Sequence, residues 1–451
     1  MILPLTSKIN NKKHLTIGGN DVIELGNKYG TPLYIMDIEA IKEQCRSYRD
    51  NFSFPDIDVD VIYAGKAFLC TAMCQLIEKE GPGLDVSSGG ELFIALNSGF
   101  PPERIYFHGN NKSAEEIKYG LDSGVGHFMV DNFTELEMLG KFCSKGAKRQ
   151  KIMLRVNPGI KADTHEYIQT GKLNSKFGFG IHSGAAFEAV KRVKQYDDCF
   201  ELTGIHAHIG SQIFNISCYE KLVEVMIKFI KDVRDSLGIL ITGINIGGGL
   251  GIKYTSDDRP SNIEDLAGVV HNAVVKYSGE FNVRLDKLYI EPGRSIVGNA
   301  GVTLYKAGTV KEVNDSKKYI IVDGGMTDNI RPMLYQAKYT AYVANKMADS
   351  GGNRLSDNSN DGEDSKIHYS IAGKHCESGD IIINDIELPA VSEGDFIVVA
   401  TTGAYCYSMS SNYNGQPKSA IVAVEDGKNW LWVKRQTYKD LVMGDIRLYE
   451  K

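Results

Sequence analysis

Between residues 59 and 291 the chain repeats one unit eight times: a short apolar run, then an amphipathic stretch about long enough for a helix. The runs lie at 59–64, 83–87, 104–108, 127–131, 151–157, 203–209, 241–246 and 287–291. Parallel strands need a crossover between them, usually a helix, so strict alternation predicts a parallel sheet with helices on its outer face. Eight such units suit a closed (β/α)8 TIM barrel. The helix starts fit this. Ser88/Glu91, Ser113/Glu116, Thr134/Glu137, Ser217/Glu220 and Ser261/Glu264 all have capping-box spacing. Within 217–234, Leu222, Met226, Phe229, Ile230 and Val233 share one helical face, the stripe expected to pack on a barrel.

Beyond residue 300 the rhythm changes. Strand-like runs recur at 302–313, 318–322, 367–372, 380–388, 395–401 and 419–434 with few helical patterns between them. With 451 residues, the chain is too long for one ordinary domain. We expect a barrel domain over 36–299 and a second, mainly β domain of barrel- or sandwich-like form built from 1–35 and 300–451. Leu33-Tyr34-Ile35-Met36 reads as a strand of the second domain, because a β segment ahead of a closed barrel needs a sheet to pair with. Residues 345–366 are dense in Asp, Ser, Asn and Gly and read as a mobile surface insertion.

A net charge of -6 gives no electrostatic reason to expect nucleic acid or an anionic membrane as partner. Ile2-Leu3-Pro4-Leu5 is too short for a signal peptide, and no apolar run approaches the ~20 residues that span a bilayer. The eight cysteines show no paired framework. Cys70 and Cys74 lie one helical turn apart, but no second pair completes a zinc site. The expectation is a cytoplasmic protein with reduced thiols.

The unusual polar clusters fall just past the strand ends, the face on which barrel enzymes carry their chemistry. Lys66 follows the first run, Asp85 the second, and His108 the third. Arg155 ends the fifth, His206-Ala207-His208-Ile209-Gly210-Ser211 the sixth, Gly247-Gly248-Gly249 the seventh and Glu291-Pro292-Gly293-Arg294 the eighth. A lysine at such a position, once desolvated, attacks a carbonyl to form a Schiff base; taken alone, Lys66 reads as readily as a phosphate-binding or solvated amine. The triple glycine exposes backbone N–H groups suited to a phosphate, with Arg294 supplying charge, although a tight turn explains the glycines equally well. It is not a dinucleotide fingerprint, since Ile252 holds the third glycine position.

His206 and His208 point to the same face of their strand. Either one imidazole stacks on a flat ring while the other supports it, or the pair begins a metal site with His108 and Lys66, a set short of ligands. Glu291 pairs with Arg294, or else faces a pyridine nitrogen and keeps it protonated. A Schiff-base lysine, a phosphate cradle, a stacking histidine and a carboxylate facing a ring nitrogen are together the parts needed for pyridoxal phosphate.

Tyr63-Ala64-Gly65-Lys66-Ala67, His206-Ala207-His208-Ile209-Gly210-Ser211-Gln212, Gly247-Gly248-Gly249 and Glu291-Pro292-Gly293-Arg294 resemble the fold-type III pyridoxal-phosphate decarboxylases. Asp323-Gly324-Gly325-Met326-Thr327-Asp328-Asn329-Ile330-Arg331-Pro332 with Tyr335, Gly373-Lys374-His375-Cys376-Glu377-Ser378-Gly379-Asp380, and Thr402-Gly403-Ala404-Tyr405-Cys406-Tyr407 narrow it to the diaminopimelate decarboxylase family. The resemblance implies decarboxylation at the D-configured centre of meso-diaminopimelate to give L-lysine. It implies that Lys66 holds pyridoxal 5'-phosphate as a Schiff base, His208 stacks on its ring and Glu291 faces the ring nitrogen. Ser211, Gly247, Gly248, Gly249, Gly293, Arg294 and Tyr405 then surround the phosphate, with Asp85 and Arg155 nearby. Arg294, Arg331, Tyr335, Glu377 and Tyr405 contact substrate, and Cys376 is the proton donor. Cys376 and Glu377 reach the site from a partner subunit, so a homodimer is implied. Cys406 is read as structural. Arg331 and Glu377 suit the distal carboxylate and ammonium of a substrate that is an amino acid at both ends.

Three other readings compete: a sister decarboxylase for ornithine, arginine or a carboxylated polyamine; a metal-dependent hydrolase using His206 and His208; and a non-enzymatic regulatory relative. The last is expected to lose Lys66 or Cys376, and both are present.

Overall fold

The structure is a computed structural model that describes residues 2–143, 149–160, 175–314, 317–347 and 367–448. The chain divides into two compact units: residues 1–43, 253–258 and 296–451 form one, and 44–252 with 259–295 form the other.

In the second of these, Asp58–Ala64, Gly83–Val86, Ile105–Phe107, His127–Val130, Gln150–Asn157, Phe200–His206, Gly243–Asn245 and Lys287–Ile290 pair in that order, all parallel. Lys287 pairs with Asp58, which returns the sheet to its first strand and closes the barrel. Every apolar run of the repeat overlaps a strand, as expected where helices cover the outer face of a parallel sheet and side chains fill its interior. Ile62, Tyr106, Met129, Met153 and Tyr289, one from each of five strands, fill part of the barrel interior. The helix Ser217–Leu237 buries Leu222, Met226, Phe229, Ile230 and Val233, the expected stripe.

The caps are less regular than the spacing suggests. Ser88 and Ser113 do cap, and Ser113 with Glu116 makes the reciprocal box. Elsewhere asparagine displaces the expected residue: Asn132, not Thr134, accepts from Glu135, and Asn262, not Ser261, accepts from Asp265. Asn and Ser are equally good caps, so spacing alone does not choose between neighbours. Ser217 lies inside its helix, and Asn215 Oδ1 takes its N–H (3.1 Å) and hydroxyl (2.8 Å).

The other unit is mainly β. Its large sheet runs Ile381–Leu388, Ile367–Ala372, Lys317–Val322, Gly301–Asn314, Leu33–Asp37, Ala420–Glu425, Lys428–Val433. Phe396–Val399 pairs with both Gly301–Asn314 and Ala341–Val343. Leu33–Asp37 therefore sits between strands from the far end of the chain, antiparallel to one and parallel to the other. The run 419–434 is a hairpin rather than one strand, turned by Asp426 (φ 47°) and Gly427 (φ 75°), the left-handed pair that a two-residue turn requires. Leu33, Ile35, Val302, Leu304, Phe396, Val398, Val422 and Val424 make its core.

Two expectations need correction. Most of the 345–366 stretch, from 348 on, lies outside the described residues. Asn345, Lys346 and Met347, however, are anchored: Asn345 and Lys346 bond Asp395 at 2.8 and 2.6 Å, and Met347 is in the core. The thiols are not all reduced either. Cys143 and Cys199 are joined as a disulfide across 56 residues of sequence. The barrel brings them together, since Gln150 N–H donates to Cys199 O, a proximity no linear spacing reveals.

Candidate active site

The eight strands deliver their C-terminal ends to one rim, and the polar clusters sit there. Lys66 lies in the turn Gly65–Ala67 that directly follows the first strand, and its side chain is exposed. The chain's own packing thus does not supply the desolvation expected for this amine. Asp85 is buried in the second strand; burial pushes its carboxyl up against the pull of His108 and Lys66. His206 ends the sixth strand fully buried, while His208, two residues on, is half-buried. Burial also drives the His208 imidazole well below its ordinary range, with Lys66 and Arg155 acting the same way, so its ring is neutral.

Glu291 is the electrostatic centre of the rim. It is 5% exposed and does not pair with Arg294. Asn245 Nδ2 donates to its Oε1 at 2.7 Å, and His206 Nε2 lies 3.2 Å from its Oε2. His108 Nε2 lies 2.9 Å from Oε1 and 3.9 Å from Asp85 Oδ1, off the axis of a well-formed hydrogen bond to either. Burial alone raises a carboxyl, but His108 and His206 outweigh it and hold Glu291 well below the usual carboxylate range. His206 is itself pushed down to about 4 by burial, so it acts as a neutral N–H donor.

An anion cradle lies beside this carboxylate. The N–H groups of Gly248 and Gly249 have no acceptor among the described residues. Neither position tolerates a side chain: a Cβ on Gly248 would lie 2.0 Å from Glu291 O, and Gly249 has φ +123°. Arg294 donates through Nε (3.2 Å) and Nη2 (2.9 Å) to Ser211 Oγ. Two backbone donors, a guanidinium and a hydroxyl fit a phosphate dianion. An ionised, buried carboxylate fits a protonated aromatic nitrogen.

Beneath the rim runs a buried ion pair that the sequence did not announce. Lys112 Nζ meets Glu135 Oε1 at 2.7 Å, each side chain 1% exposed, and also donates to Gly109 O and Met129 O. Glu135 Oε2 in turn accepts Asp131 N–H at 2.9 Å, and Asp131 Oδ1 faces Arg155 Nη1 at 3.6 Å. All three ammonium protons are thereby used to hold the loop after the third strand. Lys112→Met is expected to cost about 3–5 kcal/mol, because Glu135 is left buried without its partner; urea unfolding of the two proteins measures this.

The remaining sequence-derived residues lie in the β unit. Arg331 opens the short helix Arg331–Tyr335 and is 5% exposed. Its Nη1 donates to Tyr339 Oη (2.5 Å) and Tyr254 Oη (3.2 Å), and Cys406 Sγ lies 3.6 Å from Tyr339 Oη, so Cys406 is a packed, buried thiol. Tyr335 is half-buried on the same helix, its ring 5.9 Å from the Arg331 guanidinium. Tyr405 holds φ +60°, a strained backbone for a bulky residue and one that clusters at functional sites.

Cys376 is exposed and Glu377 half-buried on a loop whose Gly379 packs near Met333 of that helix. Asp380 organises the loop: its Oδ2 accepts His375 N–H at 2.9 Å and faces His375 Nδ1 at 2.7 Å, and its Oδ1 accepts Met326 N–H at 2.6 Å. His375 Nε2 meets Thr327 Oγ1 at 3.0 Å. Both nitrogens of His375 are therefore committed, and it is a structural neighbour of Cys376 rather than its base.

Asn245, Asp380, Lys112, Tyr254 and Tyr339 escaped the sequence reading. Asn245 and Asp380 had a signal, each standing beside a glycine-rich motif. The tyrosines had none. His108, His206 and Glu291 do place ligand atoms within 4.8 Å of one another, three groups of the kind a metal uses. The Asn245 amide N–H already takes one lone pair of Glu291 Oε1, and three ligand groups fall short of a full set.

Residues 38–298 match the family described as pyridoxal-dependent decarboxylase, pyridoxal binding domain. The chain is 46% identical over 446 residues to the diaminopimelate decarboxylase of Bacillus subtilis (strain 168), covering 99% of this chain and 98% of that protein. It is 40% identical over 444 residues to that of Staphylococcus aureus (strain COL), covering 98% and 100%. The crystal structure of diaminopimelate decarboxylase from M. jannaschii in co-complex with L-lysine superposes with a TM-score of 0.89 at 34% identity, over 99% of each chain.

Proposed function

Because this chain belongs to the diaminopimelate decarboxylase family of pyridoxal-dependent decarboxylases, we propose that it decarboxylates meso-diaminopimelate to L-lysine and carbon dioxide, with the residues below in the stated roles. The observation that carries the reading is the meeting, on one barrel rim, of an exposed amine, a buried carboxylate held by Asn245 and His206, and an anion cradle. When bound, pyridoxal 5'-phosphate supplies an electron-poor ring that takes up the electron pair released with carbon dioxide.

Lys66 would hold the cofactor through Nζ, and His208 would lie against its ring. Glu291 would face the ring nitrogen. Gly247, Gly248, Gly249, Ser211, Gly293, Arg294 and Tyr405 would bind the phosphate, with Asp85 and Arg155 setting the local charge. Arg294, Tyr335 and Tyr405 would also contact substrate. Arg331 takes the distal carboxylate and Glu377 the distal ammonium, which selects a substrate that is an amino acid at both ends. Cys376 delivers the proton to Cα after carbon dioxide leaves. We further propose a homodimer in which Cys376 and Glu377 serve the partner's site.

Among the described residues no helix is long and apolar enough to cross a membrane. We place the protein in the cytoplasm.

The test is direct: purified protein with pyridoxal phosphate, given meso-diaminopimelate or ornithine, with carbon dioxide and lysine measured. Lysine from the first and no turnover of the second support the reading; turnover of ornithine alone would transfer the chain to the sister enzymes. Arg331→Ala is expected to raise KM by about a hundredfold, roughly the 3 kcal/mol of a lost charge-assisted contact. Cofactor affinity should stay near that of the parent. Equal losses in both, read by kinetics and cofactor titration, would remove Arg331 from the substrate.

A further inference from the structure

We propose that His108, His206 and Asn245 are positioning residues that act as one clamp on Glu291, fixing its carboxylate as a pure hydrogen-bond acceptor. The inference deepens the reading above and rests on it, because it concerns how the group assigned to the ring nitrogen is held. The three residues follow or end three different barrel strands, the third, sixth and seventh, and Glu291 follows the eighth. All three converge on the one carboxylate.

The geometry is close to complete. An ionised carboxylate has about four lone-pair directions. Oε1 takes Asn245 Nδ2 at 2.7 Å and has His108 Nε2 at 2.9 Å; Oε2 takes His206 Nε2 at 3.2 Å. One direction, on Oε2, is left for a further N–H. Each clamp residue is itself held. Asn245 is fully buried and its Oδ1 accepts Gly247 N–H at 2.9 Å, so one side chain fixes both the carboxylate and the start of the glycine turn. His108 N–H donates to Val86 O at 2.7 Å, and Lys112 ties down the loop behind it. The His108 and His206 rings meet edge to face at 4.9 Å.

The physical need is clear from burial. A carboxyl at 5% exposure tends to take up a proton. Protonated, Glu291 would compete with the ring nitrogen for the proton that makes the ring an electron sink. Donors to both oxygens stabilise the anion and leave the proton on nitrogen. The off-axis His108 contact is of the kind that tightens when a site fills.

The test uses holoenzyme loaded with ring-nitrogen-enriched pyridoxal phosphate, and reads the ring-nitrogen NMR shift alongside kinetics. In His108→Ala and Asn245→Ala the shift is expected to move toward unprotonated pyridine across the neutral range. The kcat should fall about tenfold to a hundredfold, the range for losing one hydrogen bond to a charged group, with KM nearly unchanged. His108→Gln, which returns an N–H donor, should restore both. Wild-type shift and kcat in the clamp variants, together with a displaced shift in Glu291→Gln, would overturn the clamp and leave the Glu291 assignment standing. A protonated ring in Glu291→Gln would overturn that assignment and the clamp with it. Should Asn245→Ala fail to fold, the His108→Ala and His108→Gln pair decides on the same two readouts.

Discussion

Lys66→Ala is expected to end turnover, with lysine production falling roughly a thousandfold or more. The expectation follows from where the residue stands. The turn Gly65–Ala67 lifts one exposed amine onto the rim, within electrostatic reach of Asp85, Glu91 and His208. Lys112, the other lysine of this region discussed above, is sealed in its ion pair with Glu135 and is not available to substitute. Borohydride reduction should fix pyridoxal phosphate to the parent protein on the peptide containing Lys66 and leave the variant unlabelled. The cradle of Gly248, Gly249, Ser211 and Arg294 should still let the variant bind the cofactor non-covalently. Labelling at another lysine, or substantial activity in the variant, would remove the amine from the mechanism.

Cys376→Ala separates two functions instead. Cofactor binding should be kept, because Lys66, Glu291 and the Gly248, Gly249, Ser211 and Arg294 cradle lie in the other compact unit. Lysine formation should drop by about a hundredfold to ten-thousandfold, the usual range for loss of a positioned proton donor. The loop geometry supports the choice of this thiol: Cys376 is exposed, its N–H is pinned by Asn414 Oδ1 at 3.0 Å, and its neighbour His375 is fully occupied. The neighbouring imidazole of His375 is thus committed to Asp380 and Thr327, which leaves the Cys376 thiol as the donor this variant tests. Undiminished lysine formation in Cys376→Ala would dismiss it from that role.

Much of this was readable before any coordinates. The eight strands were legible because each is a short apolar run between amphipathic helices. The rim residues were legible because a βα turn places its polar side chains immediately after the strand. What stayed hidden depends on contacts between distant segments. Asn245 looks like an ordinary strand residue until Glu291, 46 residues on, comes beside it. Asp380 reads as the end of a glycine-flanked motif, and only the fold shows it gripping Met326 and His375. The caps at Asn132 and Asn262 were missed for a local reason: several good cap residues stood together, and backbone angles rather than composition chose among them. Cys143 and Cys199 belong with the first kind, being neighbours only once the barrel exists.

The strand Leu33–Asp37 has a consequence for how the molecule is made. Its neighbours begin at Gly301 and Ala420. A ribosome working from the amino end releases this five-residue greasy ribbon early, then must finish the whole barrel before either flanking partner emerges. Throughout that interval the segment is an unsatisfied edge of the sort that recruits other nascent chains. The barrel is free to mature while synthesis continues, whereas the β unit must wait until translation is nearly over, so the last stretch of the message governs when the first becomes safe.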